Sequence, residues 1–138
     1  MPTKYVLDAC ALFAFIYKET GFDAVRSILK QAADGDADVF MNKLNLFEVF
    51  YGIRRAEGLQ TAEGVYSTIM KLPIQIINGI SDEVFLEASR IKSSYKMSLA
   101  DSIALGETSM MDASLITADH HEFDVVEQGE NIKFTWIR

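Results

Sequence analysis

The chain alternates short runs of β-forming apolar residues with longer stretches in which apolar residues recur at helical spacing. The short runs predict five strands, at 4–7, 38–41, 74–77, 114–117 and 133–136. The longer stretches predict helices at 10–17, 22–33, 43–58, 61–71, 81–95 and 98–110. Because strands that alternate with helices favour a largely parallel sheet covered on both faces, we expect an α/β fold.

The order of these elements leaves one question open. Two consecutive predicted helices, 81–95 and 98–110, separate the third strand from the fourth. One helix is enough to return the chain across a parallel sheet. We therefore expect one of the two to lie across the sheet, and the sequence does not say which.

Length and charge exclude several classes of protein. The 138 residues suffice for one domain, expected to span 1–138, with a core of its own. A net charge of −7 argues against broad binding to nucleic acid, although not against local binding beside a metal. The single cysteine, the lack of a signal pattern and an apolar N-terminal run well below the roughly 20 residues that span a bilayer favour a cytoplasmic protein without a membrane partner.

Four acidic residues stand where strands and helices are expected to meet. Asp8 directly follows the first strand, and Asp119 comes two residues after the fourth. Glu48 lies in the second turn of the helix after the second strand, and Asp101 lies in the first turn of the helix that leads into the fourth. Because the carboxyl ends of parallel strands share one edge of the sheet, we expect the four carboxylates to converge there.

Each carboxylate also has a purely structural interpretation. Asp8 could cap the helix that follows it, and Asp119 could begin a turn or cap a short helix at 120–123. Asp101 follows Ser98 at the spacing of a capping box. The shared edge of the sheet is therefore a stronger signal than any one of these residues.

Glu48 can be interpreted in the same way, because Asn45 precedes it at the spacing of a cap. Its neighbours in "LNLFEVFYGI" are nearly all apolar, however. Carboxylates are rarely buried without a partner, which favours a functional role for Glu48.

The repulsion expected between four clustered carboxylates bears on the chemistry of the site. Two like charges about 4 Å apart repel by about 4 kcal/mol at an effective dielectric constant of 20. Four carboxylates would therefore raise one another's pKa values or require a cation. Mg²⁺ or Mn²⁺ fits, because hard cations prefer carboxylate oxygens and keep room for water and a phosphate oxygen. The predicted chemistry is phosphodiester hydrolysis.

The motifs that carry these carboxylates resemble those of PIN-domain ribonucleases, especially the VapC-like toxins of toxin–antitoxin pairs. They are "VLDACAL", "LNLFEVFYGI", "SLADSIALG" and "LITADHHEF", in the family's order over residues 4–124. One such motif would be a weak signal, whereas four in order are fairly specific.

The resemblance implies a three-layer α/β/α sandwich that cleaves single-stranded RNA with Mg²⁺ or Mn²⁺, forms a homodimer and is inhibited by a cognate antitoxin. By motif position, Asp8 and Asp101 would be direct metal ligands, and Glu48 and Asp119 would complete the pocket or bind through water. Thr117 occupies the family's small hydroxyl position, where it would hold water or orient a carboxylate.

Three features around these motifs need separate interpretation. Cys10 replaces the hydroxyl or amide that is common two residues after the family's first aspartate, and a thiol is a weak donor. The adjacent His120 and His121 point in different directions and lack a third soft ligand, so we expect them to flank the pocket, where they could touch RNA, rather than to bind a metal. Phe123 is predicted to anchor the turn in the core, and Asp124 is a further acidic candidate.

Basic and aromatic residues just before "SLAD" could hold RNA. Arg90, Lys92 and Lys96 could contact phosphates while Tyr95 stacks on a base. The more usual role of such a charge run is a solvated helix face.

Several early helical residues are unusually apolar. Core packing explains most of them, but helices that are apolar all round often contact another chain. We therefore expect a homodimer or antitoxin surface that draws on Phe13, Phe15, Ile16, Tyr17, Phe22, Leu46, Val49, Phe50 and Ile53.

The hypothesis from sequence is a metal-dependent endoribonuclease whose cation is positioned by Asp8, Glu48, Asp101 and Asp119. The first alternative is a non-catalytic RNA- or protein-binding module on the same fold. A phospho-accepting receiver domain fits less well. It would need a second acid beside Asp8 and a lysine at the end of the fifth strand.

Overall fold

A computed structural model describes residues 2–138, and Met1 of the predicted domain lies outside them. Five strands form one sheet in the order β3-β2-β1-β4-β5, and each neighbouring pair is parallel. The strands are β1 (Thr3–Leu7), β2 (Ala37–Asn42), β3 (Gln75–Ile77), β4 (Ser114–Thr117) and β5 (Lys133–Trp136). The predicted α/β class is confirmed, and the predicted strands lie within about one residue of the observed ones.

The helices are α1 (Ala9–Ile16), α2 (Phe22–Ala33), α3 (Lys43–Glu57), α4 (Leu59–Ile69), α5 (Asp82–Ser94), α6 (Leu99–Met111) and α7 (His120–Gly129). The short helix predicted at 120–123 is wrong in length, since α7 continues to Gly129. It continues because Phe123 and Val126, three residues apart on one face, are both buried. In the described part of the chain, no helix is long and apolar enough to cross a membrane.

The sheet separates two apolar cores, so the molecule has three layers. Neighbouring residues of β1 point to opposite faces: Leu7 belongs to one core and Val6 to the other. The first core packs α1 to α4 on the sheet, and the second contains residues of α5, α6 and α7. This arrangement confirms the predicted α/β/α sandwich.

The two consecutive helices between β3 and β4 pack against each other as a pair. α6 lies on β1, β2 and β4, whereas α5 packs on the outside of α6. The approach is close at Gly106, where an added Cβ would lie 3.1 Å from the Cβ of Ala88 and 3.2 Å from the carbonyl oxygen of Val84. One helix is enough to connect β3 to β4 across a parallel sheet, and α6 is that helix. The additional helix, α5, packs on α6, so the expectation that one of the two lies across the sheet is wrong.

Candidate active site

Two of the predicted carboxylates cap helices at the carboxyl edge of the sheet. An oxygen of Asp8 accepts a hydrogen bond from the backbone N–H of Ala11 at 2.8 Å, at the start of α1. Asp119 accepts one from the N–H of Glu122 at 3.2 Å, at the start of α7. The capping interpretations are confirmed for both residues. Capping occupies one oxygen of each carboxylate, and the Asp8 carboxyl also bonds with Thr117.

Asp101 also interacts with a helix cap. The Ser98 hydroxyl accepts a hydrogen bond from the backbone N–H of Asp101 at 3.1 Å, and the Asp101 carboxylate bonds back to Ser98. This is the predicted capping arrangement, and it fixes Asp101 in the first turn of α6.

The cap predicted for Asn45 is wrong. The cap of α3 is Asn42, whose side-chain oxygen accepts from the N–H of Leu44 at 2.9 Å, and Asn45 lies inside the helix. Asn45 is fully buried, and its amide donates to the carbonyl of Ala100 at 3.1 Å. This bond ties the helix that carries Glu48 to the residue before Asp101. Sequence reasoning missed this role, although a polar residue three positions before Glu48 in an apolar stretch was a usable signal.

Asp8 lies in the least favourable environment for a negative charge. It is only 2% exposed. Burial raises the pKa of Asp8 to about 7, although hydrogen bonds with Thr117 and Ala11 lower it in part. The neighbouring charges of Asp101 and Asp119 raise it further. Asp8 is therefore a buried acid whose ionised form needs a counter-charge.

Asp101 interacts electrostatically with more of the acidic residues than any other member of the cluster. Burial raises the pKa of Asp101, and so do the charges of Asp119 and Glu122. The pKa of Glu48 is raised by burial and by the charge of Asp101. Since Asp101 also acts on Asp8, it interacts with each of the other three predicted carboxylates. The fold thus brings Asp8, Glu48 and Asp119 each within electrostatic reach of Asp101.

The fifth acid of the cluster is Glu122 and not Asp124. Glu122 raises the pKa of Asp101, whereas Asp124 bonds to Nδ1 of His120 at 2.8 Å. Both acids lie on α7, and successive helical residues differ in direction by about 100°. The suggestion of Asp124 as a further pocket acid is therefore corrected.

Thr117 contacts the Asp8 carboxyl and the backbone of Asp119. Its hydroxyl oxygen accepts from the backbone N–H of Asp119 at 3.1 Å, and its hydroxyl bonds with Asp8, which lowers the pKa of that carboxyl. Thr117 is fully buried at the end of β4. These contacts fit the predicted role of orienting a carboxylate.

The histidines and Cys10 do not form a soft-metal site. Both ring nitrogens of His120 are engaged, with Asp124 at 2.8 Å and the carbonyl of Arg138 at 2.7 Å. Burial and the charge of Asp8 raise the pKa of the Cys10 thiol, so it stays protonated and is a poor nucleophile. His121 is almost fully exposed. The acidic residues are therefore the chemically distinctive part of this edge.

Of the four candidate RNA-contacting residues before "SLAD", three are engaged within the chain: Arg90, Lys92 and Tyr95. Arg90 forms ion pairs with Glu87 at 2.8 Å and with Glu130 at 2.7 Å. The Tyr95 hydroxyl donates to Glu130 at 2.9 Å, and Lys92 donates to the carbonyl of Met97 at 2.8 Å. These contacts support the alternative of a structural helix face over a phosphate-binding surface.

The chemistry of the acidic cluster fits a hard divalent cation. Within residues 2–138, no three acidic, histidine or cysteine side chains are close enough together to form a ready-made metal cage. Mg²⁺ does not need such a cage, because it binds proteins through one or two carboxylates and keeps several waters. The raised pKa values of Asp8, Glu48 and Asp101 indicate carboxylates that a bound cation would stabilise in the ionised form.

The buried carboxyl of Asp8 predicts how stability depends on pH in the absence of metal. Its pKa rises from 3.8 to about 7 on folding, so between these values the folded state binds more protons than the unfolded state. The unfolding free energy should then fall as pH rises through this window, on the order of 4 kcal/mol in total. Urea unfolding in EDTA between pH 4 and 8 measures it. The Asp8→Asn variant should have a clearly shallower slope, and an equal slope would contradict the prediction.

The fold and this edge define a class: a parallel α/β/α domain with a carboxylate cluster where the strands end. The model of the PIN domain family matches residues 5–128. The chain therefore belongs to the PIN domain family. Comparison with curated protein sequences gives no significant match.

Solved structures of toxin–antitoxin systems have the same fold. A DNA-bound VapBC complex from Salmonella typhimurium matches with a TM-score of 0.74 and 13% identity over 99% of both chains. A toxin–antitoxin complex from Klebsiella pneumoniae matches with a TM-score of 0.65 and 18% identity over 97% of this chain and 98% of that one. A Mycobacterium tuberculosis VapC toxin described as cleaving the sarcin-ricin loop matches at 0.61 with 12% identity over 88% and 94%.

Proposed function

We propose that this protein is a metal-dependent endoribonuclease that hydrolyses single-stranded RNA and acts as the toxin of a toxin–antitoxin pair. The observation that carries the proposal is the electrostatic coupling of Asp101 to Asp8, Glu48 and Asp119 at the carboxyl edge of the sheet. Family membership supports it, because PIN domains are generally nucleases. The described VapC toxin that cleaves the sarcin-ricin loop, an RNA, supports RNA as the substrate.

The division of roles among these residues follows their positions in the family's motifs. Asp8 and Asp101 would hold Mg²⁺ or Mn²⁺ directly, while Glu48 and Asp119 would complete the pocket or act through water. When bound, the cation supplies Lewis-acid polarisation of a phosphate oxygen and lowers the pKa of water. Thr117 keeps the Asp8 carboxylate oriented through its hydroxyl. The Asn45 bond to Ala100 holds α3 and α6 at a fixed separation.

A cleavage assay tests the activity. Purified protein with Mn²⁺ should cut a labelled single-stranded RNA internally, EDTA should stop cleavage, and added Mn²⁺ should restore it. A fully base-paired RNA of the same sequence should be cut much more slowly. RNA that is bound but not cut at any divalent-ion concentration would favour the non-catalytic binding module. Cleavage that continues in EDTA would contradict metal dependence.

The antitoxin would occupy an apolar groove between α1, α2 and α4. The groove has a volume of about 490 Å³ and is lined mainly by Phe15, Ile16, Phe22, Val65, Ile69 and Leu72. An amphipathic segment of a partner protein fits such a surface. The toxin–antitoxin complexes among the structures of the same fold support this type of partner.

Some of the residues that the sequence predicted for the homodimer surface are not available to it, and other exposed residues would replace them. Leu46, Val49 and Ile53 are buried in the core, so they are not available to a second chain. Phe47 is 58% exposed on the other side of α3, and Ile80 is 48% exposed. Both line a groove of about 440 Å³. Sedimentation of the chain as a monomer at micromolar concentration would contradict the homodimer.

A further inference from the structure

Three aromatic rings form a stack that joins β5 to the start of α7. Phe134 and Trp136, on the same side of β5, stack with ring centroids 5.3 Å apart and planes 9° from parallel. The imidazole of His120 continues the stack, with its centroid 3.9 Å from that of Trp136 and its plane inclined by 12°. Trp136 is held by a hydrogen bond from its indole N–H to Glu127 at 3.0 Å. His120 is therefore the outer ring of a fixed platform.

The edges of the His120 ring are engaged, but one face is not. Nδ1 contacts Asp124 and Nε2 contacts the carbonyl of Arg138, so neither nitrogen is free to bind a metal or exchange a proton with substrate. Trp136 covers one face of the imidazole. The side chain is nevertheless 47% exposed, which leaves the opposite face open to solvent. The open face is therefore the part of the ring that is left to contact a ligand.

The position of His120 next to Asp119 indicates which ligand could contact the open face. His120 directly follows Asp119, whose carboxylate belongs to the acidic cluster. An RNA strand with a phosphate at the cluster would place a base within one nucleotide of His120. Phosphate attraction is weak on a chain of net charge −7, whereas stacking on an aromatic face does not depend on charge.

We infer that the open face of His120 stacks on a base of the RNA next to the cleaved phosphate, which makes His120 a substrate-binding residue of the proposed nuclease. The inference rests on the proposed function, because it requires RNA in the pocket. Trp136 and Asp124 act as positioning residues that hold the imidazole plane. The competing possibility is that His120 only holds Arg138 in place through its carbonyl.

Two substitutions separate the ring from its hydrogen bonds. His120→Phe keeps a flat ring and loses both bonds, whereas His120→Gln keeps hydrogen-bonding groups and loses the ring. His121→Ala is the matched control, since His121 is adjacent and 92% exposed. Binding of a fluorescein-labelled RNA hexanucleotide of mixed sequence is measured in EDTA, where metal-dependent cleavage cannot occur. Inorganic polyphosphate, which has charge but no bases, is the second probe.

His120→Gln should weaken hexanucleotide binding roughly tenfold, the usual effect of losing one base stack. His120→Phe and His121→Ala should bind RNA like the wild type, and polyphosphate binding should be the same in His120→Phe and His120→Gln, since both lack the imidazole. In NMR, the carbon-bound ring protons of His120 should shift upfield when the hexanucleotide is added.

Equal RNA binding by His120→Gln and the wild type, or an equal loss in His120→Phe and His120→Gln, would overturn the inference. An absence of the upfield shift in the wild type with bound RNA would do the same. Wild-type protein that binds RNA without cleaving it under Mn²⁺ would instead overturn the proposed function, and the variants would still decide whether His120 stacks. Wild-type protein that binds RNA neither in EDTA nor with Mn²⁺ would overturn both.

Discussion

Replacement of Asp101 by asparagine is expected to lower Mn²⁺-dependent RNA cleavage by roughly a hundredfold or more, because the carboxylate that interacts with all three others is removed. The same substitution should make the metal-free protein more stable. Without the Asp101 charge, Asp8 and Glu48 lose a repulsive neighbour. Initial cleavage rates and thermal unfolding in EDTA measure the two effects on one preparation.

The control for this substitution is Asp82→Asn. Asp82 is likewise an acid in the first turn of a helix, at the start of α5, and it is exposed. It should change neither the cleavage rate nor the stability appreciably. If Asp101→Asn cleaves RNA at the wild-type rate, or if Asp82→Asn loses as much activity, the assignment of Asp101 is wrong.

Replacement of Phe123 by alanine is expected to lower the free energy of unfolding by about 3–5 kcal/mol, the usual cost of removing a large aromatic side chain from a core. Phe123 is fully buried, and its ring contacts Phe134 with a centroid distance of 5.9 Å. The loss should also slow cleavage, because Phe123 fixes the first turn of α7 and thereby Asp119. Urea unfolding and the RNA cleavage assay measure the two consequences.

Val125→Ala is the matched control for Phe123→Ala. Val125 lies two residues further along α7 and is 56% exposed, so its truncation should change the unfolding free energy by less than about 0.5 kcal/mol. A loss below about 1 kcal/mol for Phe123→Ala would show that α7 is held mainly by other contacts.

At α7, the sequence predicted the position of Asp119 but not that of Glu122. Asp119 was predictable because it follows β4 at a fixed short distance. The choice between Glu122 and Asp124 as the additional pocket acid was not, since it depends on the direction of each side chain around the helix axis. That direction is set by where the Asp119 cap starts the helix and by the burial of Phe123 and Val126.

The ion-pair partners of the basic region before "SLAD" show a second limit of prediction from sequence. The sequence places Arg90 near Tyr95 and the acidic motif, which is compatible with RNA binding. One of its two partners, Glu130, is forty positions away and reaches it only because the end of α7 lies beside α5. A charged residue can thus form an ion pair in the folded protein with a residue far away in the sequence. Local sequence patterns do not reveal such a distant partner.

The sequence by itself determined the alternation of strands and helices, the parallel sheet and the acids at its carboxyl edge. It did so because residue periodicity fixes the type of each element, and parallel strands end at a common edge. Only the tertiary structure decided that α5 packs on α6, that Asn45 bonds to Ala100 and that His120 stacks on Trp136. These contacts join residues far apart in the chain, and they depend on which surfaces meet after the elements pack.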